Sequence, residues 1–190
     1  MKLFIDRTFN FLLALIVLIL LVIPISITFI FIKLSSRGPA LYWSDRVGIN
    51  NKIFKMPKFR SMKIDTPQVA THLLENPDEF LIPFGGFIRR SSLDELPQLW
   101  SILIGDMNFV GPRPALFNQD DLVELRTKEG IHTIKPGVTG WAQINGRDDI
   151  SIPVKVSLDK EYLDKKSILF DIKIMFLTVF SVLRMHNVKH

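Results

Sequence analysis

Two adjacent carboxylates, Asp94 and Glu95, follow a pair of arginines, Arg89 and Arg90. Neighbouring residues on a helix project about 100° apart. The two acids are therefore not equal members of an acid/base pair: one can attack or bind a metal while the other orients it or binds the same ion indirectly. A helix opening here would favour the ionised form at its N-terminus and draw in other anions, phosphate among them. The same residues also spell a capping box, Ser92-Leu93-Asp94-Glu95, with Ser92 as N-cap and Glu95 at N3. On spacing alone the cap outranks catalysis. In that register Pro97 falls at N5 and loses a hydrogen bond; a start nearer Asp94 brings it into the first turn, where it is tolerated.

Several cations stand in rigid or glycine-rich surroundings. Arg113 lies between two prolines in Gly111-Pro112-Arg113-Pro114, Arg147 closes the stretch that runs from Gly137 to Gly146, and Lys58 and Arg60 share Lys58-Phe59-Arg60-Ser61. Guanidinium forks suit phosphate oxygens, and glycines permit close backbone approach to a ligand. Each cation alone is more often a solvated surface charge; together with the carboxylates they suggest a bound polyanion with a metal. Other chemistries are missing. There is no GxxxxGK[ST] phosphate loop, GxGxxG, HExxH or GxSxG, and His72, His132, His186 and His190 have no metal-ligand spacing. The absence of cysteine excludes a disulfide framework, a thiolate zinc site and a thiol nucleophile.

The elements that must position these groups can be read in outline. Within 190 residues there is room for one core plus an anchor. Gly48 and Asn50-Asn51 suggest the tip of a hairpin within Leu41 to Phe59. Helices are expected near Val69–Leu74, from Ser91-Ser92 to about Ile104 with Leu96, Leu99, Trp100 and Leu103 as the apolar side, from Asn118 to Glu129, and from Pro153 to Tyr162. Gly105 and Gly130 are the stops, and Lys135 to Arg147 reads as a loop. Ser167 to Arg184 is apolar on almost every side, and reads equally well as an interfacial helix or a buried core helix.

Thr8 to Ile32 carries no charge and is long enough to cross a bilayer core, which needs about 20 residues. Pro24 must kink it, freeing the carbonyl of Leu20 for Ser26, Thr28 or packed protein to satisfy. Both flanks are basic: Lys2 and Arg7 precede the stretch, and from Lys33 to Lys63 eight basic residues meet one acid, Asp45. The positive-inside rule keeps both flanks in the cytoplasm, so a re-entrant helix bent at Pro24 competes with an ordinary kinked span. The net charge of +5 points to anionic surfaces or substrates.

The blocks KFRSM (58–62), SLDELPQLW (92–100), GDMNFVGPRP (105–114) and PGVTGWAQINGR (136–147) resemble, in order and spacing, the signatures of the bacterial sugar transferase family, the small monotopic polyprenol-phosphate phosphoglycosyl transferases. The likeness runs from about Lys2 to Leu183. It implies a mainly α fold with a small β-hairpin element: a re-entrant anchor at 1–36 kinked at Pro24, and a compact catalytic domain at 37–190 with interfacial amphipathic helices, on the cytoplasmic face of the bacterial inner membrane. The implied reaction moves a sugar-1-phosphate from a UDP-sugar to undecaprenyl phosphate with Mg²⁺ and releases UMP, initiating a surface glycan. By position, Asp94 is the nucleophile and a metal ligand, and Glu95 completes the dyad. Arg89, Arg113 and Arg147, with Lys58 and Arg60, contact substrate. No nucleic acid partner is implied, and a homo-oligomer is left open. The family often has Ser before the kink proline, Lys before Gly-Asp-Met and Ser at the following polar position; here Ile23, Ile104 and Asn108 stand there. The stretches 70–74 and 115–122 resemble members acting on N-acetylated deoxyamino sugars. Two other readings compete: a non-catalytic basic membrane scaffold, and a metal-dependent phosphohydrolase using the same dyad.

Overall fold

The computed structural model describes residues 2–67, 76–146 and 150–186, with side chains from 4 onward and up to 181 in those ranges. The expected helix near Val69–Leu74, the 70–74 stretch and Arg147 lie outside the described residues. The chain is mainly helical. Helix α1 (Lys2–Ser35) leads into a hairpin of β1 (Leu41–Val47) and β2 (Ile53–Phe59), paired antiparallel from Leu41↔Phe59 to Val47↔Ile53. Its tip lies where the asparagines placed it: Asn50 and Asn51 take positive φ of 54° and 58°, a conformation asparagine tolerates better than most residues. Then come α2 (Gly85–Arg90), a 3-10 turn at Leu93–Glu95, α3 (Gln98–Ile104), β3 (Asn108–Val110), α4 (Asp120–Lys128), β4 (Gly137–Thr139), α5 (Trp141–Gly146), α6 (Ile152–Lys165) and α7 (Ile168–His186).

The long apolar helix is fastened to the body near both ends. Near its start, Arg7 donates to the carbonyls of Ile102 and Leu103 at the end of α3, where a cation complements the exposed carbonyls. Asp6 pairs with Lys166, and the Phe109 N–H donates to Asn10 Oδ1 at 2.8 Å. Near its end, Ile32 is buried with Phe59, Ile82 and Ile88, and Phe31 meets Phe84 edge-on at 4.7 Å. Between these, Ala14 joins Met56, Leu99, Ile102 and Met107 in a second apolar cluster. The opposite face, including Ile16, Ile19, Leu20 and Ile23, is exposed. Phe4–Ser35 is long and apolar enough to cross a membrane.

α1 is one continuous element with Pro24 inside it. The Thr28 hydroxyl donates to the carbonyl of Pro24 at 2.8 Å, not to that of Leu20 as expected. A helical threonine reaches the carbonyl four residues back, and Leu20 lies a further turn away.

Three other expectations are corrected. The 135–147 segment is not simply a loop: β4 pairs in parallel with β3, and Trp141–Gly146 is helical. Its glycines serve backbone-on-backbone packing. A Cβ on Gly137 would lie 2.1 Å from the nitrogen of Gly111, and one on Gly140 would lie 2.2 Å from that residue's oxygen. On α3, Leu99 is buried but Trp100 is 54% exposed, so the helix does not bury the whole stripe assigned to its apolar side. α7 buries Asp171 and Ile174 while Leu169, Phe176, Val179 and Phe180 stay exposed, so of its two readings the wholly buried core helix is the one that fails.

Candidate active site

The capping box does not form. Ser92 adopts a left-handed conformation (φ 57°) and its side chain makes no cap hydrogen bond. The α3 helix begins only at Gln98, after Pro97, which occupies its N-cap with φ −62°, the value a proline ring prefers. The carboxylates thus sit on a separate 3-10 turn ahead of the helix, and neither is spent on capping.

Glu95 is bound instead by cations from distant segments. Lys58 Nζ of β2 and Arg113 NH2 each reach Glu95 Oε1 at 2.9 Å. Lys58 also lies 3.5 Å from Asp94 Oδ2. Lys58, Asp94 and Glu95 are each less than one quarter exposed at the side chain, so these charges interact in a partly desolvated setting where they count for more than at an open surface. Burial alone would push Glu95 up, but Arg113 and Lys58 hold its carboxyl down to about 2. Asp94 moves the other way. Burial raises it, Lys58 opposes that, and the neighbouring Glu95 charge adds to the rise. The turn therefore carries one carboxylate held in its ionised form by two cations and one that is less well compensated, an asymmetry suited to two different roles.

Lys58, Arg89, Ser92, Asp94, Glu95 and Arg113 line one cavity of about 470 Å³. Arg89 also donates to Met62 Sδ at 3.1 Å and is close enough to lower the Asp94 carboxyl. Arg60 is not brought there. Its guanidinium is buried and donates to Ser36 Oγ at 2.7 Å, beyond the end of α1.

Residues that no motif singled out complete the arrangement. Arg126 of α4 donates to the Arg113 carbonyl at 2.8 Å and is held by Asp159 of α6 through two hydrogen bonds of 2.9 and 2.6 Å. Arg46 of β1 donates to the carbonyl of Pro114 at 3.2 Å. Burial, and then the Arg113 charge, push the Arg46 guanidinium down to about 10. The consecutive carbonyls of Arg113 and Pro114 are thereby held by two arginines. Gln143 lines the cavity with a buried Oε1 that has no hydrogen-bond partner among the described residues, while its Nε2 donates to Val138 O. In the sequence Arg46 and Arg126 look like ordinary polar positions, and only the 68-residue separation of the Arg46–Pro114 contact being closed by folding reveals their use.

The donor set also bears on a metal. Among the described residues there is no cluster of three or more His, Asp or Glu. Magnesium does not require one: it commonly takes one or two carboxylates, with phosphate oxygens and waters supplying the rest. Asp94, beside Glu95, fits that requirement.

A family model described as bacterial sugar transferase matches residues 1–185. The chain is 45% identical over 159 residues to the UDP-glucose:undecaprenyl-phosphate glucose-1-phosphate transferase of Escherichia coli (strain K12), covering 78% of this chain and 34% of that protein. It is 40% identical over 182 residues to the uncharacterized sugar transferase EpsL of Bacillus subtilis (strain 168), covering 94% and 87% respectively. Against the UDP-N-acetylgalactosamine-undecaprenyl-phosphate N-acetylgalactosaminephosphotransferase of Aeromonas hydrophila the identity is 33% over 186 residues, 95% of this chain and 44% of the relative. The chain thus spans about a third of the length of the Escherichia coli relative.

Proposed function

Because the chain belongs to the bacterial sugar transferase family, we propose that it transfers a sugar-1-phosphate from a UDP-sugar to undecaprenyl phosphate, releasing UMP and initiating a surface glycan. The observation that carries this reading is the partly buried Asp94-Glu95 turn facing Lys58, Arg89 and Arg113 in one cavity. In the first step an Asp94 oxygen attacks the phosphorus that bears the sugar. The bond from that phosphorus to the bridging oxygen breaks, and UMP leaves with the electron pair. In the second step an oxygen of the polyprenyl phosphate attacks the same phosphorus, and the Asp94 carboxylate is displaced. Splitting the transfer in this way is ordinary covalent catalysis by a carboxylate.

Each side chain has a task in this scheme. Lys58 and Arg113 neutralise Glu95 and leave the cavity positive enough for a diphosphate. Arg89 supplies further charge on the Asp94 side. Such positioning and charge neutralisation are most of what phosphoryl transfer asks of a protein. Mg²⁺ would be held by Asp94 with Glu95 beside it, and would supply charge neutralisation on the phosphate oxygens. Arg147 keeps its family-implied substrate role as part of this proposal.

Membrane attachment through α1 fits a lipid acceptor. A straight helix of this length, about 50 Å, crossing a core of about 30 Å would carry its ends to opposite sides. Contacts of the same body with Arg7 near one end and with Ile32 near the other favour both ends lying on one side. We therefore place the protein monotopically on the cytoplasmic face, with Lys2 and Lys33 on that side and α7 at the headgroup level. Labelling that separates Lys2 from Lys33 would refute this topology and leave the chemistry intact.

The test is UMP release from UDP-sugar plus undecaprenyl phosphate. Asp94→Asn should abolish it and Glu95→Gln should impair it by about 100-fold or more. Enzyme trapped with donor alone should carry the phosphosugar on the peptide containing Asp94. A fully active Asp94→Asn enzyme ends the proposal, and phosphate released to water regardless of acceptor would favour a hydrolase. A panel of UDP-glucose, UDP-galactose and N-acetylated deoxyamino UDP-sugars identifies the donor; the last class is the one suggested by 115–122.

A further inference from the structure

The catalytic cavity shares a wall with a second, apolar space. A groove of about 790 Å³ runs between α1, the hairpin and α3, with Ile25, Phe29, Trp43, Pro97 and Trp100 among its walls. No charged side chain lines it among the described residues. Leu96 and Leu99 line both spaces. The chain thus passes from Asp94 and Glu95, at the charged cavity, through Leu96 to Pro97 and Trp100, in the apolar groove, in less than two helical turns. Trp43 and Trp100 are 46% and 54% exposed, and tryptophans left in this state suit the boundary between hydrocarbon and water.

We infer that this groove seats the isoprenoid chain of the acceptor, threading it past Leu96 and Leu99 so that its phosphate emerges beside Asp94. The inference rests on the transferase reading and adds the tail's location to it. A ligand matching both spaces has an anionic head and a long hydrocarbon tail: Lys58, Arg89 and Arg113 meet the head, and the groove removes the tail from water. The two leucines that line both spaces select the reacting lipid over a bystander, because a tail lying against them has its head within reach of the carboxylate pair. It also accounts for Trp100, whose exposure on α3 the core leaves unexplained.

Two measurements test this. First, full-length protein in nanodiscs is photolysed with a polyprenyl phosphate that carries a benzophenone in its chain, and the labelled peptides are mapped. Label is expected on the peptides that contain Trp43 and Trp100, displaced by undecaprenyl phosphate and not by phosphatidylglycerol. Label elsewhere, or equal displacement by phosphatidylglycerol, overturns the inference. Second, Ser26→Trp puts bulk into the groove from an exposed position on α1. It should lower the ratio of kcat/KM for undecaprenyl phosphate to that for geranyl phosphate about tenfold, the effect of losing the burial of about two methylenes. Trp100→Ala should lower the same ratio. Ratios unchanged in both variants overturn the inference. Groove labelling in a protein that releases no UMP would sink the transferase reading and leave the groove standing; UMP release with label elsewhere would do the reverse.

Discussion

Glu95 and Asp94 are adjacent yet electrostatically unlike, because Lys58 and Arg113 both converge at 2.9 Å on one oxygen of Glu95, whereas Lys58 stands at 3.5 Å from Asp94. Lys58 is thus the cation shared by the pair. Its removal leaves Asp94 less compensated and Glu95 with one partner fewer. Charge-assisted hydrogen bonds contribute about 1.5–3 kcal/mol, so Lys58→Met is expected to lower kcat/KM for the donor roughly 10- to 100-fold, read by initial rates of UMP release. Arg46 acts one step further out, through the carbonyl of Pro114. If it positions Arg113, Arg46→Gln should cost about tenfold in the native background and little in an Arg113→Ala background, the non-additivity expected of residues that work through one another. A purely structural role would cost the same in both.

At the scale of elements, the turn that carries the acids is built by what it fails to become. A longer helix from Ser92 would have enlisted Ser92 and Glu95 as caps. The left-handed Ser92 and the proline at the α3 N-cap divide it, and Glu95 is left to meet the cations. The facing wall depends on the close approach of Gly137, in β4, to Gly111, just past the end of β3. Adding a Cβ at Gly137, 2.1 Å from the nitrogen of Gly111, forces backbone apart, which no side-chain rotation relieves. Gly137→Ala should therefore destabilise by about 3 kcal/mol or more, seen as a lower melting temperature or loss of folded protein. α1 is likewise more than an apolar rod, since Asp6, Arg7 and Asn10 make its first turns a polar bracket on α3, β3 and Lys166.

For the molecule as a whole, stability carries a pH dependence from the buried joint between α6 and α7. Tyr162 and Asp171 are 1% and 4% exposed, and the Tyr162 hydroxyl lies 2.7 Å from Asp171 Oδ1 and 3.1 Å from the Val110 carbonyl. One phenolic proton serves only one of these acceptors at a time; a protonated Asp171 can donate to Tyr162 and free it to donate to Val110. Burial raises the Asp171 carboxyl to about 6, with the Tyr162 hydrogen bond and Lys166 opposing and Asp6 of α1 adding to the rise. The folded state therefore holds this proton more tightly than the unfolded chain does. Its contribution is complete below the ordinary aspartate range and is lost as pH rises through about 6. Asp171→Asn should raise the melting temperature relative to the native protein at pH 8, and the gain should shrink towards pH 5. Parallel melts at the two pH values check the sign.

The sequence by itself determined the local features. The asparagine hairpin tip, the stops at Gly105 and Gly130, the apolar α1 and the candidate acids Asp94 and Glu95 are set by backbone sterics and hydrophobic run lengths, which act over a few residues, and four ordered blocks carried the family. It misassigned what depends on competition between partners. Ser92 and Glu95 read as a cap because the cap's donors are adjacent in the chain, whereas Lys58 and Arg113 lie 37 and 18 residues from Glu95. Arg60 read as a site residue from its place two positions after Lys58, but β2 ends at Phe59, and past that end the Arg60 guanidinium goes to Ser36 instead. Arg46, Arg126 and Asp159 had no signature at all. Only the tertiary structure decided which charges share a desolvated space, because that depends on which distant surfaces the core brings together.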